Sequence, residues 1–248
     1  MADKIVPTAA IVVIGDEILS GRTKDKNTGH IAERLTEIGI DLAEVRVVAD
    51  VPAAIVEAVN ELRRRNTYVF TTGGIGPTHD DITADSVAAA FGVNIDHDPR
   101  AVALLENRYG SADLTEARLR MARIPDGADL IENPVSTAPG FRIENVYVMA
   151  GVPNIMQAML ENILPELQTA TPMLGASLPA TVGEGRIAAG LKIIQDRFEM
   201  VSIGSYPKFD GEKHTTTIVL RSRDGDNLAA AEREVSQLLS EIDKAGSR

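Results

Sequence analysis

Apolar residues in this chain alternate between short unbroken runs and stripes at helical spacing, a rhythm that predicts helices layered on a sheet. Thr8 to Gly15 is nearly all apolar, the pattern of a strand covered on both faces in a parallel sheet. Ile31, Leu35 and Ile38 then recur at i, i+4 and i+7 before Gly39, which predicts a one-sided helix with a glycine stop. Ile40 to Asp50 alternates as a second strand through Leu42, Val45 and Val47. Pro52 suits the first turn of a helix to about Arg65, with Ile55, Val56, Val59 and Leu62 inward. Arg63, Arg64 and Arg65 at its end read as charges that complement the helix dipole on a solvated face. Tyr68 to Thr72, β-branched or aromatic throughout, is a third buried strand. Thr83 is the expected cap of the next helix, with Val87 and Phe91 on one face and Gly92 as its stop. The order strand, helix, strand, helix, strand winds right-handed, so an α/β layer fold is expected.

The pattern changes further along. Residues 98 to 123 read as two flanking helices, around Ala101 to Tyr109 and Thr115 to Arg123. Residues 133 to 141 form a Pro-, Ser- and Thr-rich loop whose hydroxyls at Ser136 and Thr137 are available to a ligand. Phe141 to Ile143 and Val146 to Ala150 predict a hairpin. Gly151-Val152-Pro153 opens a helix with Ile155, Met156, Met159, Leu160, Ile163, Leu164 and Leu167 as a core stripe, its methionines there for packing. A Thr-, Pro- and Gly-rich stretch from Thr169 to Gly175 marks a linker, which divides the chain into residues 1–170 and 171–248. The second part predicts a strand at Thr181 to Gly183, a helix from Glu184 to Arg197, strands Met200 to Tyr206 and Thr215 to Arg221, and a helix from Asn227 to Lys244. The order β-α-β-β-α implies a small α+β domain.

Composition narrows the chemistry. A formal net charge of -11 argues against a general nucleic-acid or anionic-membrane binder, since phosphate backbones are held by Lys and Arg. The chain has no cysteine, which excludes disulfides, thiolate zinc sites and cysteine nucleophiles. Its beginning lacks the apolar core of a signal peptide, and no run approaches the roughly 20 residues of a membrane span, so the cytoplasm is the expected compartment.

The richest stretch is Tyr68 to Thr83. Gly73, Gly74 and Gly76 strip three side chains from the turn after a buried strand and leave backbone N–H groups open before a helix start, an arrangement that suits anions. Asp80 and Asp81 follow at once. Two adjacent carboxylates repel each other and a phosphate unless a cation stands between them, so a divalent metal, with Mg²⁺ the natural candidate, is expected. Asp16 and Glu17, at the end of the first strand, belong to a second loop that also carries Lys24 and Lys26 and ends near Asn27. Functional loops of open α/β sheets gather at the carboxyl ends of the strands, so the two acidic loops should converge. His79 reads as an exposed loop residue.

Taken together, TTGGIGPT with Asp80-Asp81, GDEILSG with Asn27, Ala138-Pro139-Gly140-Phe141, the GVP turn and the tail resemble the molybdopterin-binding domain family. The likeness is to its CinA-like branch, the N-terminal part of the competence/damage-inducible proteins; the strand from Val201 to Pro207 is similar to a segment of some FAD synthases. The resemblance implies a three-layer sandwich with a mostly parallel sheet. It implies metal-dependent hydrolysis of a nucleotide pyrophosphate such as ADP-ribose or FAD, and does not lead one to expect the amidohydrolase activity of the longer competence proteins. The wider family binds molybdopterin, so pterin binding, adenylylation or a non-catalytic carrier role are the alternatives. On this reading Asp16, Asp80 and Asp81 are catalytic, and Asp16, Glu17 and Asp81 hold metal. Ligand contacts are expected from Lys24, Asn27, Thr72, Gly73, Gly74, Gly76, Thr78, Ser136, Thr137, Gly151 and Pro153. The partner is a small nucleotide or pterin, with a homodimer as the expected assembly.

Overall fold

The computed structural model describes residues 6–209 and 214–246. In chain order the elements are β1 (Thr8–Ile14), α1 (Asp16–Leu19), α2 (Asn27–Glu37), β2 (Asp41–Val48), α3 (Pro52–Arg65), β3 (Tyr68–Thr72), α4 (Thr83–Phe91), β4 (Ile95–His97), α5 (Pro99–Tyr109), α6 (Glu116–Arg120), β5 (Arg123–Pro125), β6 (Asp129–Ile131), β7 (Gly140–Ile143), β8 (Val146–Met149) and α7 (Pro153–Ile163). After these come β9 (Leu174–Ala180), α8 (Ala188–Arg197), β10 (Ser202–Phe209), β11 (His214–Ser222) and α9 (Gly225–Gly246). The chain folds into two compact units, the first ending at Ala170 and the second starting at Thr171.

The first unit is built on a six-stranded sheet in the order β2-β1-β3-β8-β7-β6. The pairs β1–β2, β1–β3 and β3–β8 are parallel, and β7 and β6 add antiparallel. Side chains of a strand alternate between faces, which explains the unbroken apolar run of β1. Ala10, Val12 and Ile14 enter one core with Ile55 and Leu62 of α3 and Val87 of α4; Ala9, Ile11 and Val13 enter the other with Ile31 of α2 and Met156 and Met159 of α7. The sheet is thus the middle layer of three. Phe70 and Phe141, each no more than 1% exposed, anchor opposite sides of it, and truncating either to Ala would cost about 3–5 kcal/mol. The arginines ending α3 are structural: Arg63 lies 4.0 Å over the Phe91 ring and Arg65 pairs with Glu44 and Glu61.

Short elements depart from the sequence reading. The helix expected to run to Arg123 is a five-residue turn, α6, capped by Thr115 and followed by β5, which pairs antiparallel with β4. Three-residue strands contain too little of the period-two pattern to be recognised. The hairpin of β7 and β8 forms as expected, its turn made by Glu144 at φ 49° and Asn145.

The second unit is a three-stranded antiparallel sheet, β10-β11-β9. One face packs on α8 and α9 through Leu191, Ile194, Ile218, Leu220, Ala231 and Val235. Its first strand is Leu174–Ala180, not Thr181 to Gly183. Ala176, Leu178 and Ala180 point inward with period two, but Gly175, Ser177 and Pro179 between them imitate a linker. Pro179 is tolerated because β9 is an edge strand. Among the described residues, no helix is long and apolar enough to cross a membrane.

Candidate functional site

Three strand ends meet through glycines. A Cβ on Gly73, whose φ is 104°, would lie 2.2 Å from the Ile14 carbonyl oxygen, and a Cβ on Gly151 would lie 3.1 Å from Gly73 Cα. The loops after β1, β3 and β8 therefore pack backbone against backbone, which no side chain at Gly73 would allow. Above this contact opens a cavity of about 520 Å³. It sits at the carboxyl ends of the parallel strands, where the α/β architecture gathers its loops.

The glycine loop is held from below by Thr83. Its hydroxyl does not cap α4, as expected from sequence, but donates to the Gly73 carbonyl at 2.9 Å, while its amide donates to the Gly74 carbonyl at 2.9 Å. Gly74 has φ 67°, and a Cβ there would come within 2.2 Å of Thr83 Oγ1. The Gly73 amide is spent on the Met149 carbonyl at 3.3 Å. The amides of Gly74, Ile75 and Gly76 find no acceptor among the described residues and border the cavity.

The carboxylates divide their labour. Asp81 folds under the loop, accepting from the Thr78 amide at 2.8 Å and the Thr78 hydroxyl at 2.6 Å. Asp80 is two-thirds exposed, and its carboxyl is held below the usual carboxylate range by the Thr78 hydroxyl first and by its own backbone N–H next. His79 is fully in solvent at 98% exposure. Arg120, from α6, donates to the carbonyls of Thr78 at 3.1 Å and Asp81 at 3.2 Å, so a residue with no sequence signal braces the loop from outside.

Asp16 and Glu17 do not act as a pair. Successive residues on α1 project about 100° apart, so only one can face the cavity. Glu17 lines it, whereas Asp16 turns to the end of β2, where its amide donates to Asp50 Oδ2 at 2.9 Å. Asp50 takes the expected place of Asp16 in the cavity wall. It stands just past the end of a parallel strand, as do the other two acidic loops. The metal set Asp16, Glu17 and Asp81 is accordingly not assembled, and no group of three or more His, Asp or Glu side chains among the described residues is close enough to hold a metal alone. Glu17, Asp50, Asp80 and Asp81 nevertheless share one cavity with the loop amides.

The remaining ligand candidates separate too. Gly151, Pro153 and Ser136 line the main cavity. Thr137 does not, but its left-handed φ of 72° bends the 133–139 loop, and its amide donates to the Asn133 carbonyl. Asn133, the first residue of that loop but not one of the ligand candidates, is its hub: its side chain accepts from the amides of Val135 and Ser136 and donates to Ser136 Oγ and the Ala138 carbonyl. Lys24, Asn27 and Thr72 border a smaller adjoining space. Thr78 serves the loop internally.

Comparison with known proteins places these features in a wider set. Residues 10–169 match the family model described as a probable molybdopterin binding domain, and residues 172–244 the one described as the FAD synthase middle domain. A protein of Aeropyrum pernix is 40% identical over 173 residues, which cover 67% of this chain and 65% of that relative, so the chain spans less than two thirds of its length. A protein of Sulfurisphaera tokodaii is 31% identical over 249 residues, 96% of this chain and 94% of its own. The crystal structure of CinA from Thermoplasma acidophilum, a protein with unknown function, superposes with a TM-score of 0.62 at 36% identity, covering 65% of this chain and 98% of that one.

Proposed function

Since the chain belongs to the probable molybdopterin-binding domain family and carries a segment of the FAD synthase middle-domain type, we propose that it hydrolyses a nucleotide pyrophosphate, of the ADP-ribose or FAD type, with a divalent cation. The observation that carries this reading is the meeting of three unspent loop amides with four carboxylates in one cavity of about 520 Å³. Amides there attract phosphate, and the carboxylates repel it unless a cation intervenes. Mg²⁺ is commonly held by one or two carboxylates together with substrate phosphates, which suits a wall with no complete metal cage of its own. When bound, such a cation would neutralise phosphoryl oxygens and orient water.

The chain's own residues supply the rest. Gly74, Ile75 and Gly76 amides hold the phosphate, and Thr83 and Arg120 keep the loop in shape. Asp50 or Glu17 accepts the proton of the attacking water as its oxygen bonds to phosphorus; the bridging P–O bond breaks, releasing two monophosphates. Ile75, Met121, Ala138 and Ile155 give the cavity an apolar wall for a flat ring. That wall also suits a pterin, and with the family match it supports a second reading in which the chain binds or adenylylates molybdopterin, or carries it without chemistry.

Incubation with ADP-ribose and FAD in Mg²⁺, Mn²⁺ or Co²⁺, with chromatographic detection of monophosphates, tests the proposal. Turnover that EDTA abolishes is the expected result. No turnover with any of the three metals overturns hydrolysis, and binding of molybdopterin by the same preparation then favours the second reading.

A further inference from the structure

A sheet edge is an open template for a further strand, and proteins blunt it with Pro, Lys, bulges or very short strands. The sheet of the first unit treats its two edges differently. β6 closes one side with three residues, whereas β2, on the other, runs for eight and contains neither Pro nor Lys. Its one irregularity falls near the start, opposite Ala9 and Ala10, and Glu44 to Val48 continue in unbroken register with β1. The Gly15 amide donates to the Val48 carbonyl, so Val48 turns its backbone groups towards β1. Alternation then points those of Val45 and Val47 outward.

The side chains along this edge are apolar. Val45 and Val47 share the face of Ile11 and Val13, on which α2 packs, but α2 leaves each of them 39% exposed. Leu19 on α1 and Val51 just past β2 are 54% and 48% exposed, and the exchange between Asp16 and Asp50 ties their two segments together. Among the described residues these are four of the six large apolar side chains that the first unit exposes. A cluster of that kind marks an interaction surface.

The charges of β2 say what covers it. On the opposite face of the strand Glu44 and Arg46 flank Val45 and bond to each other at 2.6 Å. In an antiparallel pairing of two β2 strands about a two-fold axis at Val45, Glu44 of each copy lies opposite Arg46 of the other, Val47 opposite Ala43, and Val45 opposite its own counterpart. Unlike charges then face each other twice, which stabilises the pairing. An axis at Glu44 or at Arg46 would set like charges directly opposite, and one at Val47 would set Glu44 opposite Asp50. The strand is therefore complementary to itself in one register. The outward backbone of Val45 suits that register too, since it can exchange two hydrogen bonds with its counterpart on the axis.

We propose that β2 is an interface between two copies of this chain, joined antiparallel about Val45 so that one sheet runs through both. The proposal does not depend on the chemistry of the cavity, although Asp50 in the cavity wall immediately precedes Val51.

The chain has no cysteine, so a single introduced one reports on this register. Light scattering of the full chain at micromolar concentration should return twice the monomer mass. Val45→Lys, which sets two ammonium groups against each other on the axis, should return the monomer mass with the circular dichroism of the wild type. Under a mild oxidant Val45→Cys should become a covalent dimer, because the Cα atoms of a hydrogen-bonded antiparallel pair lie about 5.5 Å apart, within reach of a disulfide. Val47→Cys should stay unlinked, since its two copies stand four positions apart, about 13 Å along the strand. A monomeric wild type overturns the proposal and leaves the edge to a strand of another protein. So does a dimer that survives Val45→Lys, or one in which Val47→Cys links as readily as Val45→Cys. Should Val45→Lys fail to fold, the two cysteine variants decide by themselves.

Discussion

Asp16 and Asp50 cap one another across two strand ends: the Asp16 amide donates to Asp50 Oδ2 at 2.9 Å, and the Asp50 amide to Asp16 Oδ1 at 3.4 Å. The loops after β1 and β2 are tied by this exchange, and of the two carboxylates only that of Asp50 borders the cavity. Asn at position 50 keeps an acceptor for the Asp16 amide and removes the charge. Asp50→Asn should therefore lower pyrophosphate turnover at least about tenfold, while Asp16→Asn stays within about threefold of wild type. Steady-state kinetics on the two variants decide it, and an equal loss would return Asp16 to the reaction.

Gly73 makes a sharper structural prediction. Alanine there meets the Ile14 carbonyl oxygen at 2.2 Å and must hold φ near 104°, so backbone has to move in two strands at once. Gly73→Ala should destabilise the first unit by at least about 2 kcal/mol in denaturant unfolding. Gly183→Ala, where a Cβ meets nothing within 4 Å and φ is -68°, should change stability by less than about 0.5 kcal/mol.

For Asp81 the structure joins two roles. Asp81→Asn removes charge from the cavity and turns the one carboxylate oxygen that accepts from both Thr78 donors into an uncharged amide oxygen. Turnover should fall at least about tenfold with a stability loss of about 1 kcal/mol, read by kinetics and thermal melts on the same samples. Asp85→Asn is no silent control, since Asp85 pairs with Arg123 at 2.7 Å; exposed Glu33 on α2 serves instead, and Glu33→Gln should leave both readouts unchanged.

Acid should act on the start of α5. The Arg100 guanidinium first, with the Arg100 amide, holds the Asp98 carboxyl below the usual range, and Asp98 caps the helix by accepting from that amide at 2.7 Å. A pKa lowered by folding gives stability that is present above the unfolded value, about 3.9, and lost as pH falls through the folded value. Asp98→Ala should cost about 1 kcal/mol at neutral pH, and the gap to wild type should close as urea melts are taken down through that acid range. A gap that persists undiminished at the acid end would place the loss in packing rather than in the carboxylate.

The sequence determined the layers, because hydrophobic period is local. An unbroken run such as Ala9 to Ile14 has to be covered on both faces, the stripes of α2, α3 and α7 had to supply the cover, and glycines at 73, 74 and 76 had to mark a loop. The second unit's β-α-β-β-α order was legible for the same reason, apart from β9, whose small and proline residues hide its alternation. Tertiary structure alone decided which carboxylates face the cavity. Asp16 and Glu17 are neighbours in the chain, but helical geometry turns them apart, and Asp50, thirty-three residues beyond Glu17, arrives beside the glycine loop only because β2 runs parallel to β1. Arg120 reaches that loop from a segment whose own pattern says nothing of it.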